Sequence, residues 1–171
     1  INSDSISTED FFIKSLNNIK INKSRAVLLS KIASFISNEV KVGTNTNLNF
    51  ICTHNSRRSQ LAQVWASYAT NYFKIENINC FSGGTAVTSF YRNTAKTLQQ
   101  VGFKFEILKF SHQNPNYSIS YKNCSKPIIG YSKLYTNKDN KKPYIAITTC
   151  SNADTNCPFI PDAIQRFHLP F

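Results

Sequence analysis

The chain has 171 residues, with 20 Lys and Arg against 9 Asp and Glu, a formal charge of +11, and 41% apolar and 13% aromatic residues. That supplies one buried core and argues against wholesale disorder, and no apolar run approaches the ~18 residues of a membrane-spanning helix. Residues 1–10 show neither the basic nor the apolar region of a signal peptide, and the absence of any Met reads as a processed or trimmed piece of a longer protein.

In chain order, residues 7–19 read as a short helix capped by Ser7 or Thr8, with Glu9 and Asp10 in its first turn. Residues 22–40 read as a longer amphipathic helix with Leu28, Ile32, Phe35 and Ile36 on one stripe, closed by Gly43. A polar link, 44–47, leads to a buried strand, 48–52, and a tight polar loop, 54–57. Residues 59–73 space Leu61, Trp65, Tyr68 and Tyr72 by four, three and four, an amphipathic helix. A second strand, 77–82, ends in Gly83-Gly84; a helix at 93–101 stops at Gly102; residues 103–110 read as extended and 111–116 as a turn-rich loop. Residues 117–121 and 127–135 read as strands of a hairpin-like insertion, 137–142 as a solvated basic turn, and 144–149 as a strong buried strand ending at Cys150. This alternation predicts an α/β domain with a mainly parallel sheet, whose ligands sit beyond the carboxyl ends of the strands. Cys52 and Cys150 both fall at such ends.

The charge favours anionic partners, but Lys, Asn, Ile and Phe are abundant throughout and 137–142 is the only dense basic run. This reads as compositional bias, so neither nucleic acid nor membrane is expected as a partner. The five cysteines, Cys52, Cys80, Cys124, Cys150 and Cys157, are odd in number and lack an export signal. That predicts a reducing, cytoplasmic setting with reactive or buried thiols. No Cys-x2-Cys pair and no His at zinc spacing occur, so no metal site is expected.

The segment from Cys52 to Ser59 has the form Cys-x5-Arg-Ser between a strand and a helix. The backbone N–H groups of Thr53, His54, Asn55, Ser56, Arg57 and Arg58 can converge on one tetrahedral oxyanion, reinforced by the positive end of the following helix. Arg58 offers a planar fork to two oxygens. The same field stabilises a thiolate, which makes Cys52 the candidate nucleophile and lets the Ser59 hydroxyl donate to it. Asn55 suits a left-handed kink and can brace the loop.

ICTHNSRRSQLAQVW resembles the phosphate-binding loop of the low-molecular-weight protein tyrosine phosphatase superfamily, and is most similar to that of its thioredoxin-coupled arsenate reductases. Ser82-Gly83-Gly84-Thr85 sits where that family has a Ser-Ala-Gly turn. The resemblance covers 48–105 and 144–171. It implies a three-layer α/β sandwich over 44–171 with an insertion near 106–143, and it leaves residues 1–43 as a helical extension packed on the domain. Thr149-Cys150-Ser151-Asn152-Ala153-Asp154-Thr155-Asn156-Cys157-Pro158 resembles the redox segment of the arsenate reductases. By that analogy Cys52 binds arsenate, Cys150 attacks Cys52 and expels arsenite, and Cys157 attacks Cys150, leaving a disulfide for a thioredoxin-like reductant. Were 150–157 helical, its ends would lie ~10.5 Å apart. A disulfide needs roughly 4.4–6.8 Å, so the segment must unwind in turnover. Cys80 and Cys124 lack such a context; Cys80 reads as packing.

Three departures stand out. The family's acid, an Asp before Pro, falls by register just beyond Phe171; Asp154 and Asp162 occupy other positions, and His168 is the substitute to consider. Arg57 stands where relatives have a second Cys, and is expected to add field or face solvent. Gln63 replaces a Glu that helps form a potassium site in some relatives, although Asn55 and Ser82 match that site, so a potassium ion is a weak expectation. Against arsenate reduction stand two alternatives: hydrolysis of a phosphotyrosine protein, or a phosphate-binding module without the acid.

Overall fold

The computed structural model describes residues 6–43, 45–157 and 159–171. Pro158, the trailing residue of the redox segment, therefore lies outside the described residues, as do residues 1–5 and Thr44. Four parallel strands make the central sheet in the order β2-β1-β6-β7: β1 is Thr46–Cys52, β2 Ile78–Gly84, β6 Tyr144–Thr148 and β7 Ala163–His168. The two central strands are buried along their whole length, as expected where both faces of a parallel sheet are covered.

Side-chain alternation on β1 and β6 assigns the layers. Leu48 and Phe50 with Ile145 and Ile147 form one core with Ile32 of α2 (Lys23–Lys41), and Ala62 and Ala66 of α3 (Arg58–Tyr72) pack on it. On the opposite face Ile51, Tyr144 and Ala146 pack with Cys52, Cys150, Ala153 and Cys157 around the short helix α5 (Ser151–Asn156). The architecture is the expected three-layer α/β sandwich. Helix α1 (Thr8–Asn18) is capped by Ser7, whose oxygen accepts from the Asp10 amide. It docks through Phe11 and Phe12, which stack on Trp65 at 5.6 and 6.1 Å.

A third core joins α3 to α4 (Arg92–Gln100) through Val64, Tyr68, Leu98 and Phe103. It is roofed by an antiparallel sheet of β3 (Lys104–Lys109), β4 (Asn116–Ser120) and β5 (Ile128–Gly130). Strands β4 and β5 overlap the stretches read as a hairpin, 117–121 and 127–135, with β5 much the shorter, and β3 lies where 103–110 read as extended.

Two local differences from the sequence reading have clear causes. Thr46 and Asn47, read as part of a polar link, belong to β1 because they pair with Ile78 and Asn79. The Asn47 side chain is satisfied there, donating to the Pro143 carbonyl at 2.9 Å and accepting from Asn79 at 3.1 Å. Strand β7 was not foreseen: its sequence AIQRFH does not alternate cleanly between apolar and polar residues.

Candidate active site

The loop between β1 and α3 is held from outside by its carbonyl groups. Cys52 O accepts from the Thr85 amide at 3.3 Å, Thr53 O from the Ala86 amide at 2.9 Å, and Ser56 O from the Tyr91 amide at 3.0 Å. His54 O accepts from the Ser132 hydroxyl at 2.8 Å and the Thr88 hydroxyl at 3.2 Å. Asn55 O accepts from Gln60 Nε2 at 3.0 Å, and Arg57 O from the Leu61 amide at 2.9 Å. Among the described residues, none accepts a hydrogen bond from the amides of residues 54–58. With the carbonyls engaged and the amides unclaimed, next to the start of a 15-residue helix, the loop has the polarity of an anion nest.

Asn55 makes the required kink at φ 45° and is completely buried. Its Nδ2 donates to Ser59 Oγ at 2.8 Å, and its Oδ1 accepts from the Lys133 amide at 3.0 Å. Ser59 Oγ also lies 3.0 Å from Cys52 Sγ. Because Asn55 already donates to that oxygen, the Ser59 proton is free to point at sulfur. Arg58 opens α3 beside the loop. Arg57 is exposed, with its guanidinium 5.5 Å from the Tyr91 ring. His54 is exposed, while Thr53 and Ser56 are half-buried.

Behind the loop lies a further layer, in which Ser82 and Gln63 were marked by the sequence and Gln60 was not. Ser82 Oγ donates to Gln63 Oε1 at 2.6 Å, Gln63 Nε2 donates to Ile129 O at 3.3 Å, and Gln60 Nε2 also donates to Tyr131 O at 2.9 Å. Residues 131–135, reached through the insertion, run behind the loop as a strut. Gly84 N donates to Lys133 O at 2.8 Å and Tyr135 N to Gly84 O at 3.0 Å. The Lys133 side chain is only 4% exposed, with its ammonium 4.6 Å from the Tyr131 ring. Burial pushes that ammonium down to about 8, against the opposing pull of Asp139. A buried charge of this kind costs stability. Lys133→Met keeps the backbone bonds to the loop and is expected to stabilise the protein by ~1–3 kcal/mol at pH 7. The unfolded chain holds this proton to higher pH than the folded one. The gain is therefore full below pH 8 and fades as pH rises toward the ordinary lysine value. Denaturant melts of both proteins at pH 6.5 and 9.5 check it.

The second and third thiols flank α5: Cys150 is its N-cap and Cys157 its C-cap, and both are buried. Thr149 N and Oγ1 both donate to Ile51 O, at 2.7 and 3.1 Å, which brings the end of β6 against the loop. Cys150 Sγ lies 3.6 Å from Thr53 Oγ1. Burial pushes the Cys150 thiol up, but hydrogen bonds from the Ala153 backbone and from Thr53, together with the Arg58 charge, outweigh it and leave the thiol below its ordinary value. Tyr135 packs against this cluster. Its phenol is held above the ordinary range by burial first, then by the charge of Cys157 and the hydrogen bond to it. Asp154 binds Thr148, Arg166 and His168, and Asp162 forms an ion pair with Lys142 at 2.7 Å. His168 is engaged away from the loop, with Nδ1 2.9 Å from Thr148 Oγ1. Cys80 packs against the α2 and α3 face, where burial pushes its thiol up to about 12. Cys124 donates to Lys126 O at 3.1 Å. All five cysteines are free thiols. Among the described residues, no helix is long and apolar enough to cross a membrane, and no group of His, Cys, Asp and Glu could hold a metal ion.

No family model matches the chain. An "Arsenate reductase" of Staphylococcus aureus (strain bovine RF122 / ET3-1) is 27% identical over 128 residues, 75% of this chain and 78% of the relative. An "Arsenate reductase 2" of Staphylococcus epidermidis is 25% identical over 122 residues, 71% of this chain and 73% of the relative. The chain is thus a homologue of proteins named arsenate reductase, as the loop and the redox segment imply.

Proposed function

We propose that the protein is an arsenate reductase that works through Cys52, Cys150 and Cys157. The observation that carries this reading is the run of unclaimed amides, 54–58, in the loop that follows Cys52, with the Cys150 thiol beside Thr53. The names of the relatives support it.

Arsenate enters the nest, where the loop amides and Arg58 neutralise its oxygens. The Cys52 thiolate, with Ser59 as its donor, displaces hydroxide from arsenic and forms a sulfur–arsenic bond. The Cys150 thiolate then attacks the Cys52 sulfur. A disulfide forms, the sulfur–arsenic bond breaks, and its electron pair stays on arsenic, which leaves as arsenite. Cys157 next attacks Cys150, and Cys52 departs as a thiolate. The Cys150–Cys157 disulfide is returned to two thiols by a dithiol protein of the thioredoxin kind, which takes up the disulfide in exchange. Such a cycle suits a reducing compartment, the cytoplasm.

The oxygens that Asn55 and Gln63 would offer a potassium ion already accept hydrogen bonds, Asn55 Oδ1 from the Lys133 amide at 3.0 Å and Gln63 Oε1 from the Ser82 hydroxyl at 2.6 Å. No step of the cycle runs through a cation. Hydrolysis of a phosphotyrosine protein would use the same nest but needs a proton for the leaving phenolate. Asp154, Asp162 and His168 all have other partners, and hydrolysis leaves the Cys150 and Cys157 thiols without a role, so reduction is the better fit.

The test is peptide mass spectrometry on protein treated with arsenate under a single turnover. The expected product is a Cys150–Cys157 disulfide with one arsenite released per chain. Arsenite release without that disulfide would overturn the relay.

A further inference from the structure

The relay requires α5 to unwind, and the structure shows what keeps it wound. Residues 151–156 are Ser, Asn, Ala, Asp, Thr and Asn, mostly weak helix formers. So short a helix has little stability of its own, so tertiary contacts must hold it. Apart from the burial of Ala153, those contacts converge on one side chain. Asp154 Oδ1 accepts from the Thr148 hydroxyl of β6 at 2.7 Å and from the Arg166 guanidinium of β7, and lies 3.5 Å from His168 Nδ1. Arg166 also donates to the Asp154 carbonyl. Because Thr148 gives its proton to Asp154, it accepts from His168 at 2.9 Å, which joins the four residues in one network.

We propose that Asp154 is a positioning residue that latches α5 to β6 and β7, holding Cys150 and Cys157 apart in the dithiol state, and that its release from Thr148, Arg166 and His168 is the conformational step of the second disulfide exchange. The inference rests on the relay proposed above. In that exchange the Cys157 thiolate attacks the Cys150 sulfur of the Cys52–Cys150 disulfide, a new sulfur–sulfur bond forms, and Cys52 takes the electron pair of the old one. The latch stabilises only the wound dithiol state, so weakening it favours the Cys150–Cys157 disulfide. Burial pushes the Asp154 carboxyl up, but Thr148, Arg166 and His168 together hold it below the ordinary value. The carboxylate therefore keeps the latch closed at neutral pH, and the latch is lost only as pH falls through that lowered value.

The experiment equilibrates the full chain in glutathione redox buffers and reads the Cys150–Cys157 disulfide by alkylation and mass spectrometry. There the two thiols give two electrons and two protons to oxidised glutathione, which becomes two reduced molecules. Asp154→Asn is expected to raise the equilibrium constant for the disulfide about tenfold, a shift of about 30 mV. Arg166→Gln is expected to move it the same way, and the double variant by less than the sum of the two single changes, because both break the same ion pair while Arg166 alone also holds the Asp154 carbonyl. Thr148→Val, which removes one hydrogen bond and leaves the ion pairs, serves if Asp154→Asn fails to fold, with a smaller shift in the same direction. A wild-type protein that forms the disulfide alongside variants with an unchanged constant, or with additive shifts, would overturn the latch alone. A wild-type protein that forms no Cys150–Cys157 disulfide in any buffer would overturn the relay and the latch with it.

Discussion

A Cys150→Ser protein is expected to lose multiple-turnover arsenate reduction by on the order of 10³-fold or more, while still hydrolysing an aryl phosphate whose leaving group needs little protonation. Cys52→Ser is expected to lose both. The asymmetry follows from where the two sulfurs sit. Cys52 ends β1 where the loop begins, 3.0 Å from Ser59 Oγ, and in the proposed cycle the chemistry on a bound oxyanion starts there. Cys150 stands outside the loop at Thr53, and only a reaction that needs a second thiol uses it. Removing it leaves the nest, Arg58 and Ser59 in place but strands arsenate on Cys52. Parallel assays of arsenite and of the released phenolate separate the cases. Arsenate reduction that survives in Cys150→Ser would refute the relay, and either activity surviving in Cys52→Ser would refute the site.

The second large effect is expected far from any reacting atom. A Cβ on Gly84 would lie 2.6 Å from Ala86 O, 2.8 Å from the Asn55 amide and 2.8 Å from Thr53 O, all backbone atoms. Nothing there can swing aside, so Gly84→Ala must push the loop at Thr53 and Asn55, the two residues on either side of His54. The change is expected to cost ~1–3 kcal/mol of stability and to weaken phosphate binding at least tenfold. Thermal melts with and without phosphate, and calorimetric titration, read the two effects; unchanged phosphate affinity would show that the loop does not depend on this contact. Gly83 has a related role on the other side. Its Cβ would lie 2.3 Å from Tyr135 Cα. Where the resembled family carries Ala, this chain carries Gly, and the space goes to the segment that sets Tyr135 against Cys157.

The parts of the site that were legible in the sequence are those written in adjacent residues. Cys-x5-Arg-Ser between a strand and a helix, Asn55 at the kink, and the two cysteines bracketing a weak helix all depend on spacing alone. The parts that were not legible depend on closure across the chain. Gln60 looks like an ordinary polar position of an amphipathic helix, yet it is completely buried and bonded to Asn55 and Tyr131. Ser132 and Lys133 lie in a stretch outside the family resemblance, and nothing near them announces a role in the loop. Strand β7 escaped because its half-buried residues Arg166 and His168 are polar partners of Asp154 rather than apolar core, so periodicity had nothing to register.

The engaged carbonyls of the loop carry one more consequence, for how the site comes to exist. Ser132 reaches His54, and Lys133 reaches Asn55, across 78 residues of sequence. A peptide covering residues 52–59 would hold the motif but none of these partners, and its carbonyls and amides would both face water. The proposed oxyanion binding would thus be an emergent property of the closed chain. Ordering so long a span costs entropy that only the assembled fold repays, so a partly folded protein with an intact central sheet would still lack the nest.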